Sequence, residues 1–241
     1  MNELFSITNV AFTVFDYNMS WVELVSTVLA LTAVILARLD NVWFYPFGIL
    51  NSIGFIAIFQ QVNLYSSLLL NVYFIVISFW GWWLWTRKGS DGNAALKVRF
   101  LSPLQHILMT VAIIVFTILL ATNIDIIYGF MASLVGVEYS TPASPWTDAA
   151  ATVMSVFAMY LLARRYMETW VLWVLVDIVC VYVYLKAGVN VLAFEYGVFL
   201  LNAVWGMYAW NKLSRENEEA ALKEVKSERV SRRAEILKEY N

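Results

Sequence analysis

Charge is scarce in this sequence: Asp, Glu, Lys and Arg together make up 14% of its 241 residues. A soluble domain of this size carries nearer a quarter, so a water-soluble globular protein is excluded. Cysteine occurs once, as Cys180, which rules out an intrachain disulfide. Histidine also occurs once, as His106, and no metal-ligand cluster, nucleophilic serine motif or cofactor fingerprint is present, so no cofactor and no enzymatic turnover are expected. No lysine lies between Val191 and Trp210, which removes the Schiff base that a retinal photoreceptor needs. A basic leader followed by a small-residue cleavage site is missing, so no removable signal peptide is expected. Nothing points to nucleic acid.

What is present is apolar: 61% of the residues are hydrophobic and 16% aromatic. The runs are near 20 residues long and do not alternate, which predicts an all-α membrane protein rather than a barrel. Seven spans are expected, at 21–37, 43–59, 64–85, 104–121, 146–163, 170–185 and 191–210. Residues 1–20 read as an amphipathic segment on the outer membrane surface, and 123–145 as a long connection. The tail, 212–241, reads as a charged helix. Arg38, Arg87, Lys88, Lys97, Arg99, Arg164, Arg165, Lys212 and Arg215 gather on one side of such a chain. Lys186 stands alone on the other, with Glu3, Asp16, Glu138 and Asp148. The positive-inside rule then places the N-terminus outside and the C-terminus in the cytoplasm.

The chain also repeats. Trp21 and Glu23 match Trp146 and Asp148 at a shift of 125, and W-G-W-W-L-W at 80–85 matches W-G-M-Y-A-W at 205–210 at the same shift. I-L-A-R at 35–38 matches L-L-A-R at 161–164 at 126, and under that shift Asn51 falls on Asp177. Spans one to three therefore repeat as five to seven. Span four supplies the crossing that makes the repeats parallel, with residues 21–86 and 146–211 as units and 87–145 as the linker.

Substrate sites of repeat-built transporters lie near the midplane, where the units meet. A carboxylate at bilayer depth costs about 2.5 to 3.5 kcal/mol, so Asp177 needs a partner, a wet cavity or a role. Helical spacing puts Trp170, Trp173, Asp177 and Tyr184 on one stripe. Asn51, Asn71, Trp82 and Trp85, with Glu195 and Asn202, complete the polar and aromatic positions of the spans. Gln61, close to Gln60 and Asn63, ends span two. Aromatic rings attract a flat cation by about 0.5 to 2 kcal/mol, and amides and carboxylates accept hydroxyl protons. A phosphorylated ligand would want arginines that the spans lack. Tryptophans near the ends also form ordinary interfacial belts, and a lone carboxylate also serves as glue between helices.

Several motifs resemble the bacterial nicotinamide riboside transporters of the PnuC family: F-G-I-L-N at 47–51, L-Y-S-S-L-L-L at 64–70, W-G-W-W-L-W at 80–85, W-T-D at 146–148, R-R-Y-M-E-T-W-V-L-W at 164–173 and E-Y at 195–196. The resemblance implies seven helices in a three-one-three, SWEET-like arrangement in the inner membrane. It also implies facilitated diffusion of nicotinamide riboside, with a cytoplasmic riboside kinase trapping the product. A homo-oligomer is compatible with it. On this reading Asn51, Gln61, Asn71, Trp82, Trp85, Trp173, Asp177, Tyr184, Glu195 and Asn202 bind the substrate. Thiamine or another vitamin on the same scaffold, or ion-coupled transport through Asp177 or Glu195, are the alternatives.

Overall fold

The computed structural model describes residues 5–14, 17–62, 65–88, 96–135, 139, 141, 142 and 144–239. Glu3, Asp16, Asn63 and Glu138 lie outside the described residues. The elements are β1 (Val10–Val14), β2 (Tyr17–Ser20), α1 (Trp21–Arg38), α2 (Phe44–Gln61), α3 (Tyr65–Thr86), α4 (Pro103–Thr122), α5 (Ile124–Val135), α6 (Pro145–Ala163), α7 (Thr169–Lys186) and α8 (Asn190–Glu239).

Two elements go beyond the sequence expectation. Ahead of α1, β1 and β2 pair antiparallel, from Val10 opposite Ser20 to Val14 opposite Tyr17. The connection after α4 holds a further helix, α5, whose 12 residues are too few to cross a bilayer. Eight helices are therefore described rather than seven. Six are long and apolar enough to span: α1, α3, α4, α6, α7 and the first part of α8. α2 matches α1 in length but carries Asn51, Gln60 and Gln61, and is not among the six.

Local sequence starts and stops these helices. Ser20 accepts from the Glu23 N–H while Glu23 reaches back to the Ser20 N–H, a reciprocal cap for α1. Ser102 and Gln105 repeat the device for α4, with Pro103 at the first position. α1 and α6 end alike. The N–H of Asp40 bonds the carbonyl of Ala37 and that of Asn41 the carbonyl of Leu36; Arg165 and Tyr166 do the same to Leu162 and Leu161. Among the described residues, Asp40 (φ 52°) and Arg165 (φ 56°) in these closing turns are the non-glycine positions with left-handed backbone.

These matches fix the repeat at 125, since Asp40 and Arg165, Phe44 and Thr169, and Trp85 and Trp210 are each 125 apart. The counterpart of Asp177 is then Ser52 rather than Asn51; both Ser52 and Asp177 are buried. Gly81 and Gly206, also 125 apart, receive Tyr45 and Trp170 so closely that an added Cβ would collide with the Tyr45 hydroxyl in the one and lie 2.5 Å from the Trp170 ring in the other.

Around the molecule α1 packs on α2, α2 on α3, α3 on α6, α6 on α7, α7 on α8 and α8 on α1. The two units thus close a ring, and α4 lies outside it against α6. Leu104, Ile107, Val111, Phe116 and Leu119 on α4 are exposed, the surface that acyl chains cover in a bilayer. Trp21 and Trp146, 125 apart, are exposed at one end; Trp43, Trp83 and Trp205 are exposed toward the other.

Candidate functional site

The sequence-chosen residues divide among three levels of the ring. On α7, Trp173 and Asp177 are four residues apart on one face, about 6 Å along the axis. Asp177 is 4% exposed and has no hydrogen bond or ion pair among the described residues. Phe74 of α3 meets Trp173 edge-on, with centroids 6.3 Å apart. Asn51 is half-buried on α2 and its Oδ1 has no hydrogen-bond partner. On α8, Asn202 donates Nδ2 to the carbonyl of Val34 at 3.1 Å, and its Oδ1 is also unpartnered. Asn71 is buried and spends Nδ2 on the carbonyl of Ser67, one turn back in its own helix. The midplane residues therefore leave acceptors without donors: the Asp177 carboxylate and the amide oxygens of Asn51 and Asn202. Unpaired buried acceptors are costly, and a ligand rich in hydroxyl and amide donors would satisfy them.

A second group sits toward the end that carries Lys186. Tyr184 stacks on Tyr196, centroids 5.3 Å apart, and Tyr196 meets Phe199 edge-on. Glu195 accepts from Thr27 of α1 at 3.2 Å. It also lines a cavity of about 390 Å³ between the hairpin, α1 and α8, walled by Phe12, Met19, Leu31 and Val198. Neither Trp173 nor Asp177 lines this cavity. Gln61 is occupied elsewhere: Nε2 donates to the carbonyls of Phe5 and Ala57, and Oε1 accepts from the Ile7 N–H, tying the N-terminal segment to α2. At this end the acidic residue in the first turn of each unit's first helix accepts from a tyrosine that precedes that helix. Tyr17 donates to Glu23, and Tyr128 donates to Asp148 at 3.2 Å. Burial, reinforced by Glu23, pushes the Tyr17 hydroxyl well above its usual range.

The third group lies at the opposite end, among Arg38, Arg87 and Arg165. Trp85 is 5% exposed, and its Nε1 donates to the carbonyl of Ala163 at 3.1 Å. Trp82 packs half-buried against the same apolar cluster, which includes Phe44, Tyr45, Trp170 and Trp210. Sequence reasoning missed what lies beneath it. Arg165 Nε is 3.1 Å from Asp40 Oδ1, with the N–H out of line for a hydrogen bond, so the contact is Coulombic. The guanidinium also covers the Trp85 ring at 4.1 Å and donates Nη1 to the carbonyl of Leu96. The signal was available, because the 125 shift places Asp40 on Arg165. Nearby, His106 Nε2 lies 3.0 Å from the buried Glu168 and its Nδ1 3.1 Å from the Ser102 carbonyl, which fastens α4 to the start of α7. No cluster that could hold a metal occurs among the described residues.

Residues 20–212 match the model of the family described as nicotinamide mononucleotide transporter. The chain belongs to this family. Members are transporters rather than enzymes. The nicotinamide riboside transporter PnuC of Escherichia coli (strain K12) is 34% identical over 219 residues, covering 86% of this chain and 91% of that one. The riboflavin/roseoflavin transporter RibM of Streptomyces davaonensis is 28% identical over 215 residues, covering 88% and 94%. A crystal structure of the vitamin B3 transporter PnuC has the same fold, with a TM-score of 0.63 at 22% identity over 81% of this chain and 83% of that one. The family places the chain in a membrane that it crosses several times, as its apolar helices require.

Proposed function

We propose that the protein takes up nicotinamide riboside by facilitated diffusion across the bacterial inner membrane, exposing one midplane site to either side in turn. The family match over residues 20–212 carries this reading, together with the E. coli relative at 34% identity. The chemistry of the midplane supports it. The riboside is a flat cation bearing hydroxyl and carboxamide donors; Asp177, Asn51 and Asn202 present a carboxylate and free acceptors, and Trp173 and Phe74 present rings. In this reading Tyr184 and Glu195 attract the cation at the outer end, while Asn71, Trp82, Trp85 and Gln61 hold the walls. The family description names the mononucleotide, but no Arg or Lys occurs within 44–86, 103–122, 145–163 or 190–211 to meet a phosphate.

The arrangement proposed is seven crossings in a three-one-three, SWEET-like plan, α2 included, with α4 as linker. The N-terminus is then outside and the basic end cytoplasmic. A cytoplasmic kinase consuming the riboside would keep the gradient inward. The streptomycete relative favours one rival, a flavin-sized vitamin in the same cavity. Uptake of labelled riboside in a host lacking its own carrier, competed with riboflavin, thiamine and nicotinamide mononucleotide, tests both. Competition by riboflavin alone would replace the substrate, and no uptake of any of them would remove the reading.

A further inference from the structure

The two units are tied to each other at the basic end by contacts that form reciprocal pairs. Trp85 of the first unit donates to Ala163, the last residue of α6 in the second. Trp210 of the second donates to the carbonyls of Ala37 and Arg38, the last residues of α1 in the first, both at 3.2 Å. Asp40 and Arg165, the residues that cap those same two helices, face each other across the units at 3.1 Å. Above them the rings of Trp85 and Trp210 meet at a tilt, centroids 6.0 Å apart, and Trp170 and Tyr45 meet these rings edge-on. Tyr45, Trp85, Trp170 and Trp210 are all at most 5% exposed. A layer of four aromatic rings with an ion pair beneath it thus seals the ring of helices. At midplane depth no such reciprocal set occurs among the described residues. There the side-chain oxygens of Asn51 and Asn202 are left without partners.

The geometry of the pair suits a contact that must break. Both residues hold left-handed backbone without being glycine, which costs about 1 to 3 kcal/mol and persists only where the surroundings impose it. Arg165 is held by three kinds of contact: Asp40, the Trp85 face and the Leu96 carbonyl. Its contact with Asp40 lacks a linear hydrogen bond, so it separates without leaving a hydrogen-bond donor newly orphaned. A carrier that exposes a midplane site to the basic side has to part α1 from α8 and α3 from α6, and these contacts span those seams.

We propose that Asp40 and Arg165, with Trp85 and Trp210, form the inner gate of this carrier: a symmetric ionic and aromatic lock that holds the basic end shut and opens to release the substrate there. The proposal rests on the transporter reading but not on the identity of the substrate. Asp40 and Arg165 act as positioning residues, since neither touches the midplane face.

Cys180, the sole cysteine, reports the gate directly. It lies three residues from Asp177 on α7 and within reach of Tyr196, above the sealed layer. The experiment labels Cys180 in membrane vesicles with a small impermeant methanethiosulfonate, applied from each face in turn. Tryptic access to the Lys- and Arg-rich tail identifies vesicles that expose the basic end. The wild type is protected from the basic face. Asp40→Asn raises the labelling rate from that face at least about fivefold, and so does Arg165→Lys, which keeps the charge but loses the planar stack. The exchange Asp40→Arg with Arg165→Asp brings the rate back toward wild type, which a loss of stability alone would not do. Reaction of wild-type Cys180 from the basic face as fast as from the other would overturn the gate, whatever the variants do. Unchanged protection in a folded Asp40→Asn or Arg165→Lys protein would overturn it equally. Failure of riboside uptake with the labelling pattern intact would strike the substrate and leave the gate standing.

Discussion

Trp85 and Trp210 stand 125 residues apart, and each donates its indole N–H to the closing turn of the other unit's first helix. Neither hydrogen bond has water to fall back on, since Trp210 is 0% and Trp85 5% exposed. Trp85→Phe and Trp210→Phe are each expected to cost about 1 to 3 kcal/mol, the loss of a buried hydrogen bond with its acceptor stranded. Trp83→Phe, on an exposed ring over Arg87, is expected to cost under about 0.5 kcal/mol. Thermal unfolding of the three variants in detergent measures the difference, and equal midpoints would refute it.

Two of the buried glycines, Gly81 and Gly206, make a matched pair of a different kind. Gly81→Ala and Gly206→Ala press a methyl group into Tyr45 and Trp170, and each is expected to destabilise by about 1 to 3 kcal/mol. Gly48→Ala and Gly197→Ala meet nothing within 4 Å and serve as controls that hold or gain stability. A stable Gly206→Ala protein would mean that Trp170 is free to move.

Asp177→Asn keeps the shape of the midplane acceptor and removes its negative charge. Affinity for nicotinamide riboside should fall by about tenfold or more, the worth of one charge-assisted contact. Binding of an uncharged analogue of the same shape should change by less than half that factor. Calorimetry on purified protein gives both numbers. Equal losses for the two ligands would assign Asp177 to the scaffold.

The gate has a pH signature. Burial pushes the Asp40 carboxyl up to about 6, against the pull of Arg165, and Arg165 and Tyr45 are the ionisable groups that face it. In the unfolded chain an aspartate titrates near about 3.9, so the folded protein holds this proton more tightly. Asp40 therefore adds stability that is fully present below about pH 4 and is lost as pH rises through about 6. The wild-type midpoint should fall across that window relative to Asp40→Asn. A pH-independent difference between the two proteins would sink the expectation.

Spacing made much of this architecture legible, because membrane helices must satisfy their own backbone and so show themselves as long apolar runs. The repeat was readable from Trp21 and Trp146, and from the W-G motifs, which sit on corresponding turns. The one-residue slip came from Arg38 and Arg164: aligning them looks natural, yet Arg38 ends α1 whereas Arg164 already lies beyond α6. The hairpin was hidden because its two strands are only five and four residues long and gain their order from α1, as when Trp21 donates to the Asn9 carbonyl. Within the site, residue types located Asp177, Asn202 and Trp173. They gave no warning that Gln61 is spent on Phe5 and Ile7, or Trp85 on Ala163. Those partners lie 54 to 78 residues away in sequence, and only the packed ring brings them together.

α8 runs without a break for 50 residues, roughly 75 Å, from the Glu195 end through Asn202 to the end of the charged tail. Trp210 and Asn217, which donates to the Val98 carbonyl at 2.9 Å, pin it partway along. It is a lever with its fulcrum at the membrane surface, and a tilt that moves Asn202 one way swings the tail the other. Whatever grips that tail applies torque to the midplane, and a label at its tip amplifies each opening of the carrier into a displacement large enough to time.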